Sequence, residues 1–308
     1  MREWGPHTFE KISILGDHLS AFAKAATKAP NRVYIDTMAG DTINVLRGTD
    51  QQFAGSAEIA LGVKPPFTHI RLFEKSANRA ASLRELAAAN PSGRDVQVIA
   101  GDCNEQMATV LAGLPNKAPT FAFLDPDGFE LSWRTVQLLA DHKRAYAEAN
   151  DKAKVEMWIL FSSSGMVRML GSNRATAEAQ RLPERVARFY GAWGPWETVW
   201  QARLDGRMSP GDAKQAYLFL YMDRLVGLGY KHVLARPITT RGEFYVMVFA
   251  SDHSAGQRIM RWAQERDRVR PQAGTLFDVP ETRDAYEDLH TGWRDQLGID
   301  LPPWGPIE

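Results

Sequence analysis

Residues 33–42 read Val-Tyr-Ile-Asp-Thr-Met-Ala-Gly-Asp-Thr, a short apolar run that ends in an acid and then in a turn of small residues. Strands buried on both faces of a parallel sheet have this continuous apolar character, and a glycine lets the backbone approach a ligand closely. Similar short runs recur along the first half of the chain. The predicted buried strands are Val33–Met38, His69–Phe73, Val96–Ala100, Phe121–Leu124 and Val155–Phe161.

Helical segments separate these strands. They are Gly55–Leu61, Ala77–Ala89, Asn104–Leu114 and Ser132–Ala149. Alternating strands and helices predict a doubly wound α/β sheet with right-handed crossovers. After the fifth strand, residues 165–213 form a predicted helical insertion or cap. It is followed by a predicted helix at Ala213–Leu228 and by a hairpin of Val233–Pro237 and Phe244–Ala250. We expect one Rossmann-like domain over residues 1–308, with a mostly parallel sheet, an antiparallel C-terminal hairpin and a C-terminal extension at 267–308.

All four leading strands end in an acid, at the edge where open α/β sheets bind their ligands. Asp36 can orient water or a cationic group, and Glu74 can accept from both hydroxyls of a ribose. Asp102 can accept from an adenine amino group while the amide of Cys103 meets a ring nitrogen. The fourth acid is Asp125. Acids in these positions also cap the helices that follow them, which is the plain structural alternative.

The turn after the first strand favours one kind of nucleoside. It lacks a Gly-x-Gly-x-x-Gly loop, and Asp41 stands where a pyrophosphate would be repelled. S-Adenosylmethionine, a zwitterion without phosphate, suits this turn better than NAD, so we expect it as the cofactor and S-adenosylhomocysteine as the product. The predicted cofactor-binding residues are Asp36, Ala39, Gly40, Thr42, Ser56, Glu74, Asp102, Cys103 and Asp125.

Composition narrows the expected partners. The 308 residues carry 37 basic and 37 acidic side chains, whereas a protein that grips a long nucleic acid usually has a basic surplus. The single cysteine and the seven scattered histidines make no disulfide pair and no compact ligand motif, so no metal site is expected. The N-terminus lacks a signal core and no apolar run approaches a membrane span, so we expect a cytoplasmic location and no membrane partner.

An ordered set of motifs resembles the three-Cys-motif partner (TcmP) family of class I methyltransferase-like proteins, from Trp4 to about Ala250. The motifs are Trp4-Gly5-Pro6-His7-Thr8 with Lys11, Asp36-x-x-Ala39-Gly40, Gly55-Ser56-Ala57, Phe73-Glu74-Lys75, Gly101-Asp102-x-Asn104 and, at 121–128, Phe-Ala-Phe-Leu-Asp-Pro-Asp-Gly. The resemblance implies a class I methyltransferase-like fold and S-adenosylmethionine as ligand, but no substrate. One departure is Asp41-Thr42 in place of the family's second glycine, where Thr42 can hydrogen-bond the carboxylate of the cofactor.

Four residues are candidates for the reacting centre. Asp125 and Asp127 stand where enzymes that methylate nucleic-acid amines carry an acid or Asn, two prolines and an aromatic residue. Here Asp127 replaces the second proline and Gly128 the aromatic residue, so this amine-binding device is incomplete, although Phe129 can replace the aromatic ring in part. A carboxylate that removes a proton from an attacking hydroxyl is a further role for Asp125 or Asp127, and a turn-anchoring Asp125 is the structural alternative. His7 and Lys11 lie one turn apart on a predicted N-terminal helix, where they either assist proton removal, bind an anion or face solvent.

Three features beyond the fifth strand have two interpretations each. Ser162-Ser163-Ser164-Gly165 is either a substrate contact or a plain turn, and Arg168 can meet a phosphate or a carboxylate. A tryptophan cluster is either a stacking platform or core. Its members are Trp193, Trp196 and Trp200.

The sequence favours a methyltransferase that acts on a hydroxyl or amine of a small, nucleoside-like substrate, because transfer from a sulfonium needs in-line positioning and a base. A nucleic-acid methyltransferase is an alternative, supported by a basic run in the insertion. The run comprises Arg168, Arg174, Arg181, Arg185 and Arg188. A non-catalytic protein that binds the cofactor and docks on a protein partner is a further alternative. An NAD-dependent oxidoreductase is disfavoured by the missing phosphate loop.

Overall fold

The computed structural model describes residues 3–90, 94–150, 152–171, 181–239, 244–266 and 301–305. The strands are β1 (Glu3–Trp4), β2 (Val33–Asp36), β3 (Ile43–Leu46), β4 (Gln52–Ala54), β5 (His69–Glu74), β6 (Asp95–Ala100), β7 (Thr120–Leu124), β8 (Glu156–Phe161), β9 (His232–Thr239) and β10 (Phe244–Ser251). The helices are α1 (Pro6–Ala25), α2 (Ser56–Gly62), α3 (Ala77–Ala88), α4 (Cys103–Ala112), α5 (Trp133–Asp141), α6 (Arg144–Asn150), α7 (Ser163–Leu170), α8 (Leu182–Tyr190), α9 (Pro195–Leu204), α10 (Pro210–Gly227) and α11 (Ser254–Arg266).

Seven strands form the central sheet in the order β6-β5-β2-β7-β8-β10-β9. The first five strands in this order, β6 to β8, pair in parallel, whereas β10 runs antiparallel to both of its neighbours, β8 and β9. The strand order reverses between β2 and β7, which opens the crevice where such sheets bind ligands. A parallel sheet that closes with an antiparallel hairpin is the Rossmann-like class I methyltransferase fold, so the predicted fold class is confirmed.

The core lies on both faces of this sheet because successive strand side chains point to opposite sides. On β7, Ala122 and Leu124 join one buried cluster, while Phe121 and Phe123 join the other. Helices α4, α5 and α10 contribute to the first cluster, and α1, α2 and α11 to the second. Each large apolar side chain buried in this way stabilises the fold by about 1.5–3 kcal/mol.

Two predicted segments differ from the structure. The helix predicted at Ser132–Ala149 is two helices, α5 and α6, which break where the buried Lys143 donates its Nζ to the carbonyl of Ala118 at 2.7 Å. Of the two interpretations of Ser162-Ser163-Ser164-Gly165, a plain turn is wrong for most of the segment, because α7 begins at Ser163. Serine and glycine are weak helix formers, so tertiary packing decides here.

A small second sheet was not predicted. Its order is β1-β3-β4, with β1 parallel to β3 and β3 antiparallel to β4. Strand β3 and the first two residues of β4 lie in the stretch Ile43–Phe53, which lengthens the path from the first to the second strand of the central sheet. This sheet ties Glu3 and Trp4 to the loop after β2, so α1 starts beside the ligand edge of the central sheet.

The described residues of the predicted insertion include α7, α8 and α9. Trp196 is wholly buried and donates its indole N–H to the carbonyl of Ala192, and Trp200 donates to the carbonyl of Leu170. Trp193 stays 38% exposed. Of the predicted extension at 267–308, only 301–305 are described, and there Trp304 stacks on Tyr190 at 5.5 Å between ring centroids. No helix among the described residues is both long and apolar enough to cross a membrane.

Candidate active site

Two neighbouring cavities open at the carboxyl edge of the central sheet. The small cavity has a volume of about 270 Å³, and its lining includes Lys11, Gly40, Ser56, Glu74, Cys103 and Asp125. The large cavity has a volume of about 590 Å³, and its defining residues are His7, Lys11, Asp125, Phe129, Arg168 and Tyr245. Lys11 and Asp125 line both cavities, as do Trp4, Thr8 and Asp127, so these residues form a shared wall.

The turn after β2 is tied to the end of β5. The amide of Ala39 donates to the carbonyl of Phe73 at 2.9 Å, and the amide of Gly40 donates to Oε2 of Glu74 at 3.1 Å. Gly40 has φ +66°, a left-handed conformation that favours glycine. A Cβ on Gly40 would meet no atom closer than 3.8 Å, because the open space beside it is the small cavity.

Glu74 is held in place as an anion. Its Oε1 accepts from the amide of Ser76 and from Arg79, both at 2.7 Å. Burial would raise the pKa of Glu74, but the hydrogen bonds from Arg79, Ser76 and Gly40 hold that pKa below its ordinary value. The carboxylate is therefore ionised at neutral pH, and Oε2 keeps a lone pair for a further donor.

Asp36 lies wholly buried beneath this turn. It accepts from the hydroxyl of Tyr34 at 3.0 Å and from the amide of Met38 at 3.2 Å. Burial raises the pKa of Asp36 to about 6, although hydrogen bonds from Ser56, Tyr34 and Met38 counteract the increase, and the charge of Asp125 adds to it. Asp36 thus braces the turn and is placed outside the described lining of the small cavity.

Asp102 caps α4. Its carboxylate accepts from the amide of Asn104 at 2.8 Å and pairs with Lys75 at 3.1 Å. Burial would raise the pKa of Asp102, yet the Asn104 amide and Lys75 hold it below its ordinary value. Cys103 is the first helical residue and faces the small cavity, where burial raises the pKa of its thiol to about 12 and keeps it protonated.

The shared wall contains a largely buried ion pair. Lys11, on α1, donates to the carboxylate of Asp125, which directly follows β7, and their side chains are 8% and 20% exposed. The ammonium also lies 6.0 Å from the ring centroid of Phe123. Because the low local dielectric strengthens this pairing, the carboxylate is held in one orientation facing both cavities.

Aromatic and basic side chains from several elements line the large cavity. His7 stacks on Tyr245 with ring centroids 5.3 Å apart and an interplanar angle of 20°. Arg168 comes from α7 and Arg185 from α8, so the predicted insertion contributes to this cavity. Ser162 also lies in its wall.

The structure brings most of the predicted site residues together. The small cavity is lined by Lys11, Ala39, Gly40, Ser56, Glu74, Cys103, Asp125 and Asp127, and the large one by His7, Lys11, Asp125 and Asp127. Asp36, Thr42 and Asp102 are outside the described linings, so their contact with a cofactor stays a prediction. Trp193, Trp196 and Trp200 are also outside them, and the described contacts of Trp196 and Trp200 fit core better than a stacking platform. Arg174 of the predicted basic run lies outside the described residues.

The contacts of two site residues, Asn104 and Tyr245, were not predicted from the sequence. Asn104 accepts from the amide of Ser132 and the hydroxyl of Thr135, and it donates to the carbonyl of Glu130, so it joins the start of α4 to the loop after β7. An asparagine two residues after a strand-end acid was the available signal. For Tyr245 the sequence offered no such signal, because its contact with His7 joins residues far apart in the chain. Among the described residues, no group of His, Cys, Asp or Glu side chains is arranged to hold a metal ion.

No protein-family model and no curated protein match this sequence. Among solved structures, protein LPL1258 from Legionella pneumophila str. Philadelphia 1, described under the family model DUF519, aligns with a TM-score of 0.51 and 10% identity over 84% of this chain and 91% of that one. This likeness concerns the fold.

Two further structures align less closely. Trm1 from Pyrococcus horikoshii, solved with S-adenosyl-L-methionine, has a TM-score of 0.42 and 12% identity over 81% of this chain and 58% of its own. Human methyltransferase-like protein 13, solved with S-adenosylhomocysteine, has a TM-score of 0.38 and 12% identity over 88% and 97%. The resemblance to the TcmP family stays a prediction.

Proposed function

We propose that the protein is an S-adenosylmethionine-dependent methyltransferase that modifies a hydroxyl or an amine of a small molecule. The observation that carries the proposal is the Lys11–Asp125 ion pair in the wall shared by two cavities. In this arrangement the small cavity takes the cofactor and the large cavity takes the acceptor. The reacting atoms would then meet at Asp125.

The residues of the small cavity fit this cofactor. Glu74 presents an ionised carboxylate to a ribose, Gly40 leaves room where a side chain would intrude, and Cys103 lies at the start of α4. The described lining contains five acidic and three basic side chains. Its charge therefore suits a ligand with a sulfonium and an ammonium group better than a pyrophosphate. S-Adenosylmethionine would supply a methyl group on a positively charged sulfur, and the electron pair of the broken carbon–sulfur bond would stay on that sulfur.

The protein's own contribution is positioning and proton transfer. The acceptor's oxygen or nitrogen must lose a proton as it takes the methyl group, and Asp125 is the carboxylate that can receive it at the shared wall. Lys11 orients Asp125 and compensates its charge. Held groups of this kind accelerate a transfer by fixing the reactants in line.

Calorimetric titration with S-adenosylhomocysteine tests the cofactor assignment. We expect binding to the wild type, and a Kd raised about 10–100-fold in Glu74→Gln because charge-assisted hydrogen bonds are lost. Glu85→Gln, which changes an exposed acid on α3, is the matched control and should bind like the wild type. Circular dichroism checks that each variant is folded.

The same titration with NAD separates the two nucleoside classes. Binding of NAD in competition with S-adenosylhomocysteine, or no binding of S-adenosylhomocysteine to the wild type, would overturn the proposal. Methyl transfer itself is then measured with S-adenosylmethionine labelled in the methyl group and a panel of nucleosides, nucleotides and amines. Asp125→Asn should abolish transfer even at S-adenosylmethionine concentrations that saturate the variant.

A further inference from the structure

The large cavity has a basic region that the proposed chemistry does not use. Its described lining contains three basic side chains and two acids, the reverse of the acid surplus in the small cavity. Lys11 is already compensated by Asp125. Two further basic groups line this cavity, Arg168 on α7 and Arg185 on α8, and these helices supply no described residue to the small cavity.

Arg185 is available for a ligand. Among the described residues its side chain makes no hydrogen bond or ion pair, although it is only partly exposed and lies in the cavity wall. Guanidinium groups present planar sets of donors that match the oxygens of phosphate or carboxylate. Two arginines in one wall therefore favour an anionic substituent on the acceptor.

An aromatic surface lines the same cavity. His7 and Tyr245 stack nearly parallel, and the buried Phe129 packs into the wall beside Gly165. Such rings present flat faces or edges on which a planar heterocycle can stack. The volume of about 590 Å³ lies in the range of small-molecule sites.

From these features we infer that the methyl acceptor is a small planar heterocycle that carries a phosphate, such as a nucleoside monophosphate. Arg168 and Arg185 bind the phosphate, and His7 with Tyr245 contacts the ring. The ring then reaches the shared wall, where Asp125 lies. This inference rests on the proposed function, because it assigns the large cavity to the acceptor.

The test is calorimetric titration of the full chain saturated with S-adenosylhomocysteine, so that the small cavity is filled. The probes are the four ribonucleoside monophosphates, the corresponding nucleosides and ribose 5-phosphate. We expect at least one monophosphate to bind about tenfold or more tightly than both its nucleoside and ribose 5-phosphate, because only the monophosphate engages both the arginines and the rings.

Variants locate the phosphate site. Arg168→Gln/Arg185→Gln should remove the preference for the monophosphate over the nucleoside while leaving the Kd of S-adenosylhomocysteine unchanged. Arg188→Gln, an exposed position of α8 outside the described lining, is the matched control and should keep the preference. Tyr245→Ala should raise the Kd of the monophosphate and the Kd of the nucleoside by a similar factor.

Three results would overturn the inference. Monophosphates could bind no more tightly than nucleosides, or the double arginine variant could keep the preference. A 5′-phosphorylated tetranucleotide could bind about tenfold more tightly than every monophosphate, which would assign the cavity to nucleic acid instead. Failure of the wild type to bind S-adenosylhomocysteine would overturn the proposed function, whereas intact cofactor binding without phosphate preference overturns this inference alone.

Discussion

At the scale of single residues, Lys11 and Asp125 show how two charges can be kept with side chains that are only 8% and 20% exposed. Two largely buried ions compensate each other, although taking both out of water costs free energy. Removing one partner leaves the other charge uncompensated. The pair therefore contributes to stability as well as to the proposed chemistry, and the two contributions can be separated.

A double-mutant cycle measures the stability contribution. Lys11→Met should lower the free energy of unfolding by about 2 kcal/mol, because Asp125 is left without its partner. The double variant Lys11→Met/Asp125→Asn should lose less unfolding free energy than the sum of the losses in the two single variants. Urea unfolding followed by circular dichroism gives the four values, and strictly additive losses would show that the pair is not coupled.

Single residues also show what the sequence could predict. Asp36, Glu74, Asp102 and Asp125 were identified at the strand ends because a buried apolar run that meets an acid is a local pattern. Their individual contacts were not predictable in the same way. The partner of Asp125 lies 114 positions away in the chain, and only the folded structure shows that Asp36 is buried while Glu74 borders a cavity.

At the scale of elements, the parallel strands of the central sheet were predicted from their continuous apolar runs, and most of the helices from the segments between these runs. The small sheet was missed because its strands have two to four residues, too few to establish an alternating pattern. The separation of α5 from α6 was missed for a related reason. Residues 142–143 contain neither Gly nor Pro, and the break is stabilised by a tertiary contact of Lys143.

The end of α8 gives an element-scale prediction. Gly191 ends this helix with φ +75°, and a Cβ there would collide with the ring of Trp133 at the start of α5. Gly191→Ala should therefore lower the free energy of unfolding by about 3 kcal/mol, since backbone strain and overpacking act together.

Gly206 is the matched control for this substitution. It has φ +71°, but a Cβ there would meet nothing within 4 Å. Gly206→Ala should cost only about 1 kcal/mol, the contribution of the left-handed backbone alone. Equal losses in the two variants, measured by urea unfolding, would contradict the packing of α8 against α5.

At the scale of the whole molecule, the acids that border the cavities lie at the carboxyl ends of the strands, and a further buried acid lies at the opposite end of the sheet. Glu156 starts β8, at the end remote from the cavities, and burial raises its pKa to about 7, while Ser251 and Lys143 act to lower it. His18 lies nearby, but its Nε2 is 3.9 Å from Oε2 of Glu156, too far for a hydrogen bond. Burial lowers the pKa of His18 to about 3, so it supplies no compensating charge at neutral pH.

The stability of the fold should therefore depend on pH through Glu156. Its pKa is higher in the folded state than its ordinary value of 4.5, so its contribution is complete below pH 4.5 and is lost as the pH rises through about 7. Between pH 4.5 and 8, the free energy of unfolding of the wild type should fall by about 3 kcal/mol relative to Glu156→Gln. His18 and Asp36 titrate in both proteins, so their contributions cancel, and the difference reports Glu156 together with its charge coupling to Lys143.

Urea unfolding at a series of pH values provides the measurement. Glu148→Gln, which changes an exposed acid on α6, should follow the wild-type profile and serves as the control. A Glu156→Gln profile parallel to that of the wild type would show that the buried acid does not change its proton binding on folding.

The division of the site along the chain has a consequence for how such a protein can evolve. Every described residue of the small cavity lies between positions 4 and 130, whereas Arg168, Arg185 and Tyr245 of the large cavity come from later in the chain. In the proposed assignment of the cavities, a mutation after residue 130 can thus change the acceptor cavity without replacing any described lining residue of the cofactor cavity. We expect homologous chains to vary most in helices α7 and α8, whose described lining residues belong to the large cavity alone, and least at the positions that line the small cavity.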